Sequence, residues 1–217
     1  MQQALVPVCF AHRRFTIEAA VAIDTTGLPP ELAQALADTL PFLRCGEESA
    51  VHAFGRRLAG RADGANDRVL DAITADETRH AAWLEALAAA LPPASAVPNG
   101  DAMAAFFRGL LTRDTALHFA RVAALDLAVC ALLRPLAARG SALECAPQVH
   151  AGLRAIRSDE ARHVRVARDC AGALGFGAAQ QRCLDLGLRT ELLALLAPVR
   201  SSLERLGIRA LAGAPHG

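Results

Sequence analysis

Apolar positions recur at the three-and-four spacing of helices over most of the chain, and that period predicts its elements. Leu40, Leu43, Glu47, Ala50, Val51, Phe54 and Leu58 form one stripe. It predicts a helix over 41–59, after a turn at 25–30 and a short helix over 31–40. Gly60, Gly64 and Asn66 then interrupt the pattern as a turn. A second stripe, Leu70, Ile73, Glu77, His80, Ala81, Leu84 and Leu87, predicts a helix over 67–91 that Pro92-Pro93 stops. Residues 92–100 have the composition of a linker, suited to a long crossover between two helix pairs. A third helix is predicted over 101–138, kinked near 112–115 and weakened at Pro135. Its stripe is Phe119, Val122, Ala123, Asp126, Val129, Cys130 and Leu133. After a loop at 140–147, the stripe Leu153, Ile156, Glu160, His163, Val164 and Ala167 predicts a fourth helix over 149–174, ended by Gly175-Phe176-Gly177. A fifth helical region over 178–206 is interrupted at Pro198. Residues 1–29 are the least regular. Their apolar runs at 4–10 and 15–23 contain β-branched residues and predict short strands or an extended arm.

The expected fold is all-α: an N-terminal arm and short helix over 1–40, a four-helix bundle with a long crossover over 41–175, and a C-terminal helical region over 176–217 packed on it. Composition agrees, with 53% hydrophobic residues, mostly Ala and Leu, and only 4% aromatic among 217 residues. A net charge of +1 leaves no electrostatic footprint for nucleic acid or a membrane surface. No signal-peptide pattern is seen, and no apolar run approaches the ~20 residues of a membrane span. The six cysteines (9, 45, 130, 145, 170 and 183) form no Cys-x-x-Cys, and the expectation is free thiols in a reducing, cytoplasmic compartment. The chain has no Tyr, and all 23 of its Lys+Arg positions are Arg.

The chemistry lies in what interrupts the stripes. Asp76-Glu77-Thr78-Arg79-His80 recurs 83 positions later, Glu77 to Glu160, as Asp159-Glu160-Ala161-Arg162-His163. Residues three apart share a helix face, so each copy aims a carboxylate and an imidazole at one point. Glu47 sits inside the first stripe. Glu48, about 100° round the helix, is an alternate inward carboxylate, and His52 a further alternate. Asp126 is the acid in the middle of the third stripe. His118, like His52, could be a ligand or lie behind one, but each reads first as an ordinary polar-face or core histidine. The gaps Glu47 to Glu77 and Asp126 to Glu160 are 30 and 34 residues, about what two antiparallel helices and a short loop need to bring mid-helix positions level. Four acids and two imidazoles then converge at one height. Buried without partners they would be prohibitively costly, and a dinuclear metal centre satisfies all six. Carboxylates with one His per metal suit iron or manganese better than zinc.

This pattern, Glu47, then Glu77-x-x-His80, then Asp126, then Glu160-x-x-His163, resembles the ferritin-like superfamily of di-iron carboxylate proteins over roughly residues 40–175. The Asp-Glu-x-Arg-His form is similar to the oxygen-activating branch: bacterial multicomponent monooxygenases, acyl-carrier-protein desaturases and ribonucleotide reductase small subunits. The resemblance implies a ferritin-like four-helix bundle holding two Fe, with Mn or mixed Fe/Mn as variants. It implies that Asp76 and Asp159 orient His163 and His80 across the site, with Arg79 and Arg162 pairing the aspartates. The implied activity is that of a di-iron oxidase or oxygenase using O2 and an external electron donor to oxidise a small organic substrate. Rubrerythrin- or ferritin-like iron oxidation or peroxide removal is the alternative, and a scaffold with a vestigial site a third. A homodimer is the default assembly. Two departures stand out: Asp126 replaces the usual, longer Glu, and the absence of Tyr excludes a tyrosyl-radical role.

Overall fold

The computed structural model describes the backbone of residues 22–55 and 64–209 and the side chains of 22–50 and 70–209. The described residues are all-α: α1 (Pro30–Gly55), α2 (Gly64–Ala90), α3 (Gly100–Gly109), α4 (Thr115–Leu136), α5 (Pro147–Ala173), α6 (Ala178–Leu195) and α7 (Arg200–Arg205), with no strand among them. The predicted arm or strands before residue 22 lie outside the described residues.

Cross-helix contacts fix the directions. On α1 and α2, Gln34 reaches the carbonyl of Pro93, Arg44 pairs with Glu85, and Glu47 meets His80, so the two run antiparallel. Along α4 and α5, Ala138 meets His150, Cys130 meets Arg157, and Asp126 meets Glu160, again antiparallel. Between α2 and α5, His80 faces Asp159 and His163 faces Asp76. Hence α2 and α4 point the same way, and residues 91–114 carry the chain back along the molecule. Two further helices flank this arrangement: α6 packs on α4, and α7 on α1.

Where the helices differ from expectation, local physics explains it. The predicted short helix and first core helix are one element, because α1 runs through Pro41. The expected boundary at residue 40 therefore falls inside a helix. Proline there forgoes one backbone hydrogen bond, but Leu36, Leu40, Phe42 and Leu43 are buried on both sides of it and hold the helix together. Gly64 and Asn66, read as turn residues, open α2 instead. The predicted single helix over 101–138 is broken into α3 and α4. Asp114 caps α4 by accepting from the Leu117 amide, which favours a new start over a kink. By length and composition α4 is apolar enough to cross a membrane, contrary to the sequence reading, but most of it is buried against its neighbours. The predicted interruption at Pro198 is present as a 3-10 turn over Ala197–Val199.

Two apolar clusters flank the middle of the molecule. The larger contains Leu36, Leu40, Phe42, Leu84, Leu87, Leu132, Leu133, Leu153 and Ile156; the smaller contains Ile73, Phe119, Ala120, Ala123, Ala167 and Ala171. The positions between them along α2, α4 and α5 are Glu77 and His80, Asp126, and Glu160 and His163. A charged layer is thus held between two dry ones.

Asp38 ties the crossover down. Its buried carboxylate accepts from the amides of Ser95 (2.7 Å) and Ala96 (3.1 Å), from Gln34 Nε2 (3.0 Å) and from the Ser202 hydroxyl (2.7 Å). It thereby joins α1, the linker and α7. Four thiols, those of Cys130, Cys145, Cys170 and Cys183, are free as expected. Cys45 is disulfide-bonded, which corrects the expectation of free thiols there. Disulfide formation depends on tertiary approach of two Cβ atoms, which sequence spacing does not report.

Candidate metal centre

Each Glu-x-x-His occupies one turn of a helix, and both turns face inward. Glu77, His80, Glu160 and His163 are all buried, as are Glu47 on α1 and Asp126 on α4. Ligand atoms of Glu47, Glu77, His80 and Glu160 all lie within 4.8 Å of one another, and those of Asp126, Glu160 and His163 do likewise. Glu160 belongs to both groups. Nδ1 of His80 is 3.4 Å from Glu47 Oε2, 3.4 Å from Glu160 Oε1 and 3.7 Å from Glu77 Oε2. Nδ1 of His163 is 2.9 Å from Glu77 Oε1 and 3.9 Å from Glu160 Oε2. The six residues singled out in the stripes are therefore brought to one place. Glu48 is half-buried and outside both groups, which favours Glu47 as the inward carboxylate. The side chain of His52 lies outside the described residues.

The rings are held from behind. His80 Nε2 donates to Asp159 Oδ2 at 3.1 Å, and His163 Nε2 to Asp76 Oδ2 at 3.3 Å, each across to the opposite helix. Arg162 donates to Asp159 Oδ1 at 3.1 Å and also pairs with Asp76, which pairs with Arg79 as well. With Nε2 engaged, Nδ1 of each ring is left as the inward donor. Partner groups of this kind fix the tautomer and direction of a metal-binding imidazole.

Electrostatics separates the outer layer from the inner one. Burial pushes Asp76 up, but Arg162, His163 and Arg79 outweigh it and hold the carboxyl at about 2. Asp159 is likewise lowered, against burial, by His80 and Arg162. In the inner layer burial raises Glu47, Asp126 and Glu160, and neighbouring carboxylates, Glu77 foremost for Glu47 and Glu160, push the same way. Glu77 is the exception: against burial, His163 and His80 draw it down to about 2. Both imidazoles are raised despite burial, His80 by Glu160 and Glu47 and His163 by Glu77.

The fit to metal rests on what remains unpaired. Glu47 Oε2, Glu77 Oε1, His80 Nδ1, Asp126 Oδ2 and His163 Nδ1 are buried and make no hydrogen bond. Buried polar atoms without partners are costly and uncommon. Here five belong to the same cluster, are metal-ligating in kind and converge. Four carboxylates also balance the charge of two divalent cations with both imidazoles neutral. The cluster can hold metal ions.

Two small cavities adjoin the cluster. One is lined by Phe42, Leu43, Gly46, Glu47, Glu77, Val129 and Glu160, and the other by Ser49, Leu110, Leu111, His118 and Val122; Ala50, Leu125 and Asp126 border both. Each leaves about 20 Å³ for the centre of a water-sized molecule. His118, read as an ordinary histidine, thus belongs to the surroundings of the centre. The signal for it was present: positions 118, 122 and 126 follow one another at helical spacing on one face of α4.

No family model, curated protein or solved structure matches this chain.

Proposed function

We propose that this protein is a non-haem di-iron oxidoreductase on a ferritin-like four-helix bundle, using O2 to oxidise a small molecule. The observation that supports it most is the set of five buried, converging ligand atoms without a hydrogen bond, with the two imidazoles among them fixed from outside by Asp76 and Asp159. In this reading Glu47, Glu77, His80, Asp126, Glu160 and His163 hold the ions. Iron bound there would supply the redox electrons that dioxygen chemistry needs.

The chain's own residues supply the rest. Glu160, close to both imidazoles, is the natural shared ligand of the two positions. Asp76, Asp159, Arg79 and Arg162 keep Nδ1 of each ring pointing inward and hold counter-charge outside the inner layer. The apolar clusters above and below exclude water, so charges in the layer interact strongly. Asp126 reaches less far than a Glu and borders both cavities.

The cavity size favours a second reading as well. Space for the centre of about one water-sized molecule is nearer the size of dioxygen or hydrogen peroxide than that of an organic substrate. Iron oxidation or peroxide removal in the rubrerythrin or ferritin manner therefore stands beside organic oxidation.

Anaerobic titration with Fe(II), followed by admission of O2, tests both. Saturation at two ions per chain with a transient visible chromophore supports the oxidoreductase. Turnover of many irons per chain supports iron oxidation. If Glu77→Ala and His163→Ala variants still retain two irons, the ligand assignment fails, and the function with it.

A further inference from the structure

The cavity on the α4 side has a construction that metal binding alone does not require. The ring of His118 is buried, makes no hydrogen bond among the described residues, and lines this space together with Ser49 and Asp126. The other described residues that line it are apolar: Ala50, Leu110, Leu111, Val122 and Leu125. A polar ring aimed into an otherwise apolar pocket is the pattern of a ligand anchor, since a buried polar group without a partner is costly unless something pairs with it. Burial and the nearby Arg121 both push the imidazole downward, towards its neutral form, in which one ring nitrogen donates and the other accepts.

The lip of the cavity is also built. Leu110 and Leu111 are half-buried in the break between α3 and α4. Arg121 Nη1 donates to the carbonyls of Gly109 (3.2 Å), Leu110 (3.3 Å) and Leu111 (3.4 Å). Those carbonyls sit at the C-terminal end of α3, where a cation is favoured. One side chain, a single turn from His118, therefore fixes the backbone that carries both leucines.

We propose that this cavity is the side chamber in which the small reactant binds before it reaches the Asp126 side of the metal centre, with His118 as its polar anchor and Arg121 holding Leu110 and Leu111 over the mouth. The inference rests on the metal-centre reading above and adds to it the ligand class: a neutral molecule of about two heavy atoms, as dioxygen and hydrogen peroxide are, since the space accommodates about one water-sized molecule.

Nitric oxide, a neutral diatomic that binds ferrous iron with a visible signature, is the probe. The protein is loaded anaerobically with Fe(II), its iron content is measured, and nitric oxide binding is followed by stopped flow. In Leu111→Trp, which fills the mouth, association should slow about tenfold, because binding then requires a rearrangement. Leu111→Ala should speed it, and serves if the tryptophan variant does not fold. In His118→Leu the dissociation constant should rise about fivefold, the scale of one modest hydrogen bond, with both irons retained, and His118→Gln should recover part of the loss. Two irons bound with association unchanged in both Leu111 variants would overturn the chamber alone. Loss of iron in His118→Leu would make His118 a ligand rather than an anchor, also overturning it. A wild-type protein that takes up no iron would remove the metal-centre reading, and the chamber with it.

Discussion

Asp76 on α2 holds His163 on α5, Oδ2 to Nε2 at 3.3 Å, while Asp159 on α5 holds His80 on α2 at 3.1 Å. The two pairs cross, so neither Glu-x-x-His is complete without the other helix. They are also unequal. Asp76 is buried and pairs with two arginines, Arg79 and Arg162, whereas Asp159 pairs with one, Arg162, among the described residues and is more exposed. Asp76→Asn should therefore weaken metal binding more than Asp159→Asn, by about 10- to 100-fold, the usual cost of losing a group behind a ligating histidine. Competition against a chelator with Mn(II) or Fe(II) measures this. Equal, negligible effects would reduce both aspartates to ordinary ion-pair partners.

The inner acids should behave oppositely with and without metal. Glu47 and Asp126 are buried and their carboxyls are raised, so in the folded state each holds its proton more tightly than in the unfolded chain. The stability such a group brings is present below its unfolded pKa and is lost as pH rises through the folded one. Asp126→Asn and Glu47→Gln should thus stabilise the metal-free protein by about 1–3 kcal/mol, with the gain growing above the ordinary carboxylate range. The same variants should lose the stabilisation by bound metal, about 2.7 kcal/mol at a hundredfold excess over Kd for wild type. Melting with and without Mn(II) at two pH values reads both signs. Destabilisation of the metal-free variants would show that these acids serve the fold rather than the site.

The helices and the cluster were legible because both leave a periodic trace. Glu47, Glu77, His80, Asp126, Glu160 and His163 stand in apolar stripes, where a charge must have a reason, and the doubled pentapeptide sets the two halves level. Boundaries were less legible. Pro41 reads locally as a helix start, yet the burial of Leu36, Leu40 and Phe42 carries α1 through it. The reverse happened at Asp114, where capping turned an expected kink into a break. The spacing put His118 on the face of Asp126, but the Arg121 contacts could not be read, since they depend on where α3 ends relative to α4, a tertiary fact.

Acid should expose the role of Asp38. Its carboxyl is held below the usual value: burial opposes this, but the Ser202 hydroxyl, the Ala96 and Ser95 amides and Gln34 prevail. A depressed carboxylate contributes stability above its unfolded pKa of about 3.9, and that contribution fades as pH falls through the folded value. Asp38→Asn should cost about 1.5–3 kcal/mol near neutrality, the scale of hydrogen bonds to a charged group. The gap from wild type should stay constant down to about pH 5 and close below about pH 4. Urea unfolding across that range provides the measurement. A gap independent of pH would mean that the hydrogen-bonding shape of Asp38 matters and its charge does not.

Gly152 offers a test of how closely α2 and α5 must approach for the crossed pairs to form. It lies inside α5, where alanine is the better helix former by about 1 kcal/mol. A Cβ at this position, however, would run into the ring of Trp83 on α2, at Cζ2, Cε2 and Cη2. Trp83 is one turn from His80, so moving the ring or separating the helices disturbs the side of the centre that carries His80 and Asp159. Gly152→Ala should consequently destabilise the protein by about 1–3 kcal/mol, the cost of overpacking, against the sign of helix propensity. Because the chain has a single Trp, its fluorescence reports the displacement directly. Metal affinity should fall in the same variant, and the double variant Gly152→Ala with Trp83→Leu should regain both stability and affinity. A stabilised Gly152→Ala with unshifted fluorescence would show that the helices have room to spare and that their spacing is set elsewhere.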